Sequence, residues 1–333
     1  MKREVDFTGI DGVKRDWNAI EKIFFDDITD KKKGNYKGPI DRLNELLPIF
    51  TNLNQQIIIR FLRRHFSEII LLTPKQQLDL IHAFDLKGYN RLIYDSVKKE
   101  QTSFGKKITW AFRYTEFREF ELVKLAGNLN IKACLYCNSQ YTLVVKKGNS
   151  KVAKFQFDHF FPKSPYPYLS ISLYNLIPSC ASCNHSKSDT FYKLNELTHP
   201  YFEDFHSLFN FAISIESHTK LLMGKDVPLN ELEPSIAGPV HLKVKNYDKE
   251  FHLTGIYLRH TDIVKEIYEK AYAYKEGGKE ALLKLEKNGK KIFYDEKQIQ
   301  RMLLANYTLD EDINKRPLTK FMQDMARNSG LIK

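Results

Sequence analysis

No stretch of the sequence approaches the roughly 18 consecutive apolar residues that a membrane-spanning helix needs. The charged opening Met1-Lys2-Arg3-Glu4-Val5-Asp6 has no apolar segment of the secretory kind behind it. A cytoplasmic protein without a membrane partner is therefore expected. Internal repeats and low-complexity tracts are lacking too, which argues against solenoids and repeat arrays. Cysteine is scarce: the 333 residues contain four, in two Cys-x2-Cys pairs with none left over. In an intracellular setting that pattern reads as metal binding before disulfide bonding. Acidic residues are the minority charge, with 41 Asp and Glu against 52 Lys and Arg, a net +11. Such a balance favours polyanionic partners without proving one.

What is present is ample core material, 42% hydrophobic residues, enough for two or three packed units. The first third reads as helical. Leu43, Leu46, Leu47 and Phe50, then the run Ile57 to Leu62, recur at spacings that cover one helix face. Thr73-Pro74-Lys75-Gln76 supplies a capping hydroxyl, a first-turn proline and a glutamine three residues after the cap, ahead of Leu78, Leu80 and Ile81. The basic run Asp30 to Pro39 reads as a solvated loop. A helix is expected over 116–127, with Phe117, Phe120, Leu122 and Leu125 apolar and Gly127 ending it.

The texture changes at residue 131. Tyr141 to Val145 and Val152 to Phe157 are β-prone with Gly148-Asn149 between them, which predicts a hairpin. After Thr198 an aromatic helix is expected around Tyr201 to Phe211, then alternating segments over His241 to Lys245 and Phe251 to Ile256. Helical patterns return from Asp262. The fold class expected is α+β, in three parts: a helical N-terminal region over 1–128, a central module over 129–195, and a mixed, mainly helical C-terminal region over 196–333.

Cys134-Leu135-Tyr136-Cys137 and Cys180-Ala181-Ser182-Cys183 have 42 residues between them. Two such chelating turns can supply four thiolates in tetrahedral array, which suits zinc. A closed four-sulfur site leaves no open position, so the zinc expected here is structural.

Between and after the cysteines come Phe157-Asp158-His159-Phe160-Phe161-Pro162, then Tyr174-Asn175-Leu176, then Cys183-Asn184-His185-Ser186-Lys187-Ser188-Asp189. In this order the elements resemble the HNH endonuclease family: a cysteine pair, a strand ending in Asp-His with a proline close behind, an Asn-Leu, and a second cysteine pair followed by Asn-x2-Lys. The resemblance covers about 65 of the 333 residues. It implies a ββα-metal module that hydrolyses nucleic-acid phosphodiesters. His159 would be the general base, Asp158 and Asn184 the ligands of a catalytic Mg²⁺ or Mn²⁺, Asn175 a positioning residue, and Lys187 a contact to the scissile phosphate. His185, next to Asn184, is the substitute ligand.

The chemistry asks for these residue types. A histidine titrates near neutrality, hard cations prefer oxygen donors, and phosphodiester hydrolysis needs both a base and a charge-absorbing cation. Strict strand alternation would send Asp158 and His159 to opposite faces, so the strand is expected to bend or end there. Singly, each residue has an ordinary explanation as a polar pair, turn residue or solvated charge; their order between two cysteine pairs argues otherwise. His65, His82, His199, His206, His218, His241, His252 and His260 have no such company, and Phe205, Phe209 and Phe211 read as core. Residues 131–195 hold eight lysines against Asp158 and Asp189 alone, a net +6, where phosphate would bind.

Nucleic acid is the expected partner, DNA ahead of RNA, with a regulatory protein partner suggested by analogy to defence nucleases. The competing function is a non-catalytic zinc-stabilised nucleic-acid-binding module. A zinc-ribbon scaffold for protein partners is a third, less attractive on charge.

Overall fold

Helices of the first unit follow from where their apolar residues fall. In the computed structural model, which describes residues 7–29, 37–119, 121–203, 208–238, 241–275 and 277–332, Trp17–Thr29 buries Trp17, Ile20, Phe24 and Ile28, one residue per turn. Leu53–Arg64 starts where Asn52 Oδ1 accepts from the Asn54 and Gln55 amides, and it buries Ile58, Ile59 and Leu62. Pro74–Leu86 begins at the expected cap, with Gln76 Oε1 accepting from the Thr73 amide at 2.9 Å. Residues 30–36 of the basic run, as well as Phe120, Phe205 and His206, lie outside the described residues.

The chain divides into two compact units, one of residues 1–131 and 142–203, the other of 132–141 and 204–333. The architecture is α+β, with helical flanks around small two-stranded antiparallel sheets. By packing, residues 142–203 belong with the N-terminal helices instead of standing apart. No described helix is long and apolar enough to cross a membrane.

Three local expectations are corrected. Helix Glu121–Leu129 runs through Gly127. The glycine is there because the chain of Ile10 crosses it: the Ile10 amide donates to Gly127 O at 2.9 Å, and a Cβ at 127 would stand 3.2 Å from Ile10 Cδ1. Asn130, at φ 44°, ends the helix instead. Of the aromatic helix expected around Tyr201 to Phe211, residues 204–207 lie outside the described residues, and Asn210–Ala212 is a strand, with Phe211 paired to Ile236. The alternating segments are the helices Leu242–Phe251 and Leu253–Tyr257, because Val244, Tyr247 and Phe251 meet the core at helical spacing. The expected helices after Asp262 are present, among them Thr261–Ala273 and Thr319–Asn328.

The central hairpin forms from Val144–Lys147 and Ser150–Ala153, with Val145 opposite Val152 and Lys146 opposite Lys151. Gly148, at φ 59°, supplies the left-handed turn. A second antiparallel pair follows, the first site strand Gln156–His159 against the second site strand Leu176–Ser179, with Asp158 opposite Ile177 and His159 opposite Leu176. The site helix, Ala181–Lys187, comes directly after it.

His199 is buried in this unit with both ring nitrogens used. Nε2 donates to Tyr174 O at 2.9 Å, and Nδ1 accepts from the Tyr201 amide at 3.3 Å. Burial holds its pKa down at about 3, against the partial opposition of the Tyr174 carbonyl. The unfolded chain takes up that proton near pH 6.5, so the contribution is fully present above about 6.5 and is lost as pH falls toward about 3. His199→Phe should make the decline of stability between about pH 6 and 4 shallower by up to roughly 1.4 kcal/mol per pH unit, although the variant is less stable at pH 7. Parallel acid limbs in denaturant titrations of the two proteins would sink this assignment.

Candidate functional site

The four cysteines come together. Their sulfurs are buried and all lie within 4.8 Å of one another; a tetrahedral zinc–thiolate centre with bonds near 2.3 Å requires about 3.8 Å between sulfurs. They form a four-cysteine zinc-binding site, and the donor chemistry fits the metal. Among the described residues no other group of three or more Cys, His, Asp or Glu ligand atoms is gathered in this way.

Each knuckle is built by its own surroundings. In the first, the Asn138 amide donates to Cys134 O at 2.8 Å, the Cys134 amide to Gln140 O at 2.9 Å, and Asn138 takes a left-handed φ of 52° to close the turn. Ser139 donates to Cys137 Sγ through both its amide and its hydroxyl. Tyr257 OH holds Cys137 O at 2.7 Å, Tyr247 OH holds Leu135 O at 3.2 Å, and Tyr136 stacks on Phe251 with ring centroids 4.3 Å apart. In the second, Cys180 is the N-cap of the site helix, its sulfur accepting from the Cys183 amide at 3.4 Å. Amide donors of this kind stabilise thiolate over thiol.

A cleft of about 1010 Å³ opens beside the site strands, with Asp158, His159, Asn184 and His185 among its lining. The first site strand ends at His159, so two consecutive residues reach one cleft. His159 is 7% exposed, with Nε2 2.9 Å from Ser170 O. A carbonyl only accepts, so Nε2 carries the proton and Nδ1 is the basic nitrogen of the neutral ring. Burial first, then the charge of Lys163, hold the His159 pKa down at about 3; Lys187 adds to this and the Ser170 carbonyl opposes it. Tyr114 meets the ring edge-on, with centroids 4.7 Å apart.

Asn175 is fully buried, and its amide spans the loop between the two site strands. Oδ1 accepts from the Phe161 amide at 2.7 Å, while Nδ2 donates to Phe161 O at 3.0 Å and Leu169 O at 3.1 Å. It therefore fixes the loop that presents Ser170 O to His159. Asn184 donates to Gln156 Oε1 at 2.5 Å, which leaves its amide oxygen outside that bond. His185 is exposed on the next position of the site helix.

Lys187 differs from expectation. Its side chain is 0% exposed: Nζ donates to His159 O at 2.7 Å and lies 3.2 Å from Asp158 Oδ2. Three residues of helix turn the chain by about 300°, so Lys187 stands some 60° around from Asn184, enough to face inward while Asn184 lines the cleft. The lysine braces the site strand instead of standing free at the cleft. Sequence reasoning missed Ser170, Tyr114 and Arg118 altogether, and Lys163 entered only as part of a charge count. Tyr114 and Arg118 lie outside the motif and carry no local signal.

Comparison with family models, with curated proteins and with solved structures gave no match to this chain.

Two outcomes test the site's construction. Lys187→Met should cost about 3–5 kcal/mol by taking the ammonium partner away from the buried Asp158 carboxylate, and adding Asp158→Asn should recover part of that loss; denaturant melts that leave Lys187→Met as stable as the native chain would overturn the brace. Cys180→Ser should lower both the zinc stoichiometry and the melting temperature, and elemental analysis showing full zinc in the variant would count against the four-thiolate site.

Proposed function

We propose that the chain is a metal-dependent endonuclease that hydrolyses nucleic-acid phosphodiesters, with DNA as the first substrate to test. The observation that carries this reading is the convergence of Asp158, His159 and Asn184 on one cleft at the junction of the two site strands and the site helix. His159 is neutral with Nε2 committed to Ser170 O, and its Nδ1 would become basic enough to take a proton from water once a phosphate anion offsets the Lys163 charge that helps to hold its pKa down. The Asp158 carboxylate and the Asn184 amide oxygen are hard donors of the kind Mg²⁺ or Mn²⁺ takes beside substrate phosphate. A cation held there would absorb charge on the phosphate and leaving oxygen. Asn175 and Lys187 act through others: the first sets the loop behind His159, the second sets the backbone of His159 and the rotamer of Asp158.

The second reading is a zinc-stabilised nucleic-acid-binding module without catalysis. The four-cysteine site by itself favours it, since a closed zinc centre needs no hydrolytic role. The Asp158–Lys187 pair favours it too, because that carboxylate, 2% exposed, already has a cation. Lysine placement serves both readings: Lys146 and Lys151 stand directly opposite each other on the hairpin, a like-charge pair that costs stability unless an anion lies against it.

Cleavage and binding measured together separate the two. The native protein should cut DNA with Mg²⁺ or Mn²⁺ and stop with a chelator that leaves the structural zinc in place. His159→Ala should lose roughly 10²- to 10⁴-fold in rate with nearly unchanged affinity. Asp158→Ala should shift the Mg²⁺ dependence of whatever activity is left. Binding of DNA and RNA with no cleavage under any divalent metal would establish the second reading instead.

A further inference from the structure

We propose that Arg118 and Lys163 together form the oxyanion site that receives a nucleic-acid phosphate, the place that the sequence pattern gives to Lys187. This rests on reading the cleft as a nucleic-acid site, and it goes beyond that reading by moving the phosphate contact to residues on a helix and a loop outside the cysteine-flanked helix.

Both side chains line the same cleft as Asp158, His159 and Asn184. Lys163 Nζ lies over the Tyr114 ring, 4.5 Å from its centroid, and the other side of that contact chain is His159, whose ring meets Tyr114 edge-on at 4.7 Å. Arg118 and Lys163 are both exposed side chains that line the cleft, and the Tyr114 contact places Lys163 next to the candidate base. Among the described residues neither Arg118 nor Lys163 makes an ion pair, whereas Lys187 is committed to Asp158.

Two cations that line one concave surface repel each other. Burial first, then the charge of Arg118, lower the pKa of Lys163, with Asp189 acting in the opposite direction. Tyr114 does not relieve the pair, since burial pushes its hydroxyl up to about 12 and keeps it neutral. Glu119 and Asp189 also line the cleft, and neither is within ion-pair reach of the two cations. An anion with oxygens on more than one side, as a phosphodiester has, answers both charges at once. Arg offers a planar fork and Lys a point charge, a pairing suited to a tetrahedral group.

The test compares the native protein with Arg118→Met, Lys163→Met and the double variant, with Lys87→Gln, an exposed lysine at the end of helix Pro74–Leu86 and outside the cleft lining, as control. Affinity for a duplex is measured across a salt series, and binding of inorganic phosphate is followed through the lysine Nζ and arginine guanidinium resonances. Each single variant should weaken duplex binding roughly tenfold and reduce the salt slope by about one, Lys163→Arg should restore much of the affinity, and phosphate should perturb the Lys163 and Arg118 resonances of the native chain. If the double variant keeps the native slope and affinity, the oxyanion site is overturned while a nuclease acting through other contacts survives. If the slope falls as expected but the native protein cuts nothing, the oxyanion site stands and the nuclease fails. Native protein that binds neither duplex nor phosphate overturns both.

Discussion

An ammonium group with no exposed surface must be paired and hydrogen-bonded, because an isolated charge in the interior costs several kcal/mol. Lys187 meets that demand with only two groups, the Asp158 carboxylate and the His159 carbonyl, and both belong to the last two residues of one strand. The bond to the carbonyl fixes where the strand ends, and the pair with the carboxylate fixes the Asp158 rotamer. From these two contacts follow the seat of the site helix on the strand, the placement of Asn184 beside Gln156, and a cleft that both Asp158 and His159 can reach.

The loop between the site strands is held from a different direction. Asn175 uses every hydrogen-bonding atom of its amide that the loop can reach, taking both backbone groups of Phe161 and the carbonyl of Leu169. Ser170, the next residue, is thereby delivered with its carbonyl against His159 Nε2. The ring's tautomer is set by backbone, two steps removed from the asparagine, since the hydrogen bond at one ring nitrogen decides which of the two is basic. Strand, helix and loop thus constrain His159 independently: its carbonyl through Lys187, its ring through Ser170, its face through Tyr114.

How much of this can be read from residues alone depends on whether a signal is local. The two Cys-x2-Cys pairs announce a four-sulfur cluster because chelating turns are short, and the Gly148 turn announces its hairpin for the same reason. Thr73 to Gln76 mark a helix start that the backbone obeys. Asn184 and Lys187 are harder: spacing puts them on neighbouring helix positions, but which of the two faces inward is decided by the strand packed against them. Gly127 has the look of a helix terminus and is instead a crossing point for Ile10, a contact more than 100 residues away in sequence. His241 to Lys245 and Phe251 to Ile256 alternate over a few residues, yet the anchors Val244, Tyr247 and Phe251 recur at helical spacing once the window is lengthened. Tyr114 and Arg118 give no sign at all, since an aromatic and a cation on a helix are ordinary until the fold brings them to a cleft.

The first cysteine knuckle shows what the C-terminal sequence contributes. Its carbonyls would be orphaned by the tight turn, and the interior supplies their partners: Tyr257 for Cys137, Tyr247 for Leu135 and, for Asn138, the amide of Leu318. The Asn138 side chain completes the arrangement, donating to Ile313 O at 2.9 Å and accepting from the Lys320 amide at 3.1 Å. Behind it Lys320 and Asp324 form a buried pair at 2.8 Å, and Asp324 also accepts from the Phe211 amide. These bonds do not involve a metal, so the turn carrying Cys134 and Cys137 is shaped by the core around it as well as by its sulfurs. Zinc at such a knuckle would add its binding free energy to a turn whose carbonyls already have partners in Tyr247 and Tyr257, aromatic residues of the flanking helices that have the look of generic core.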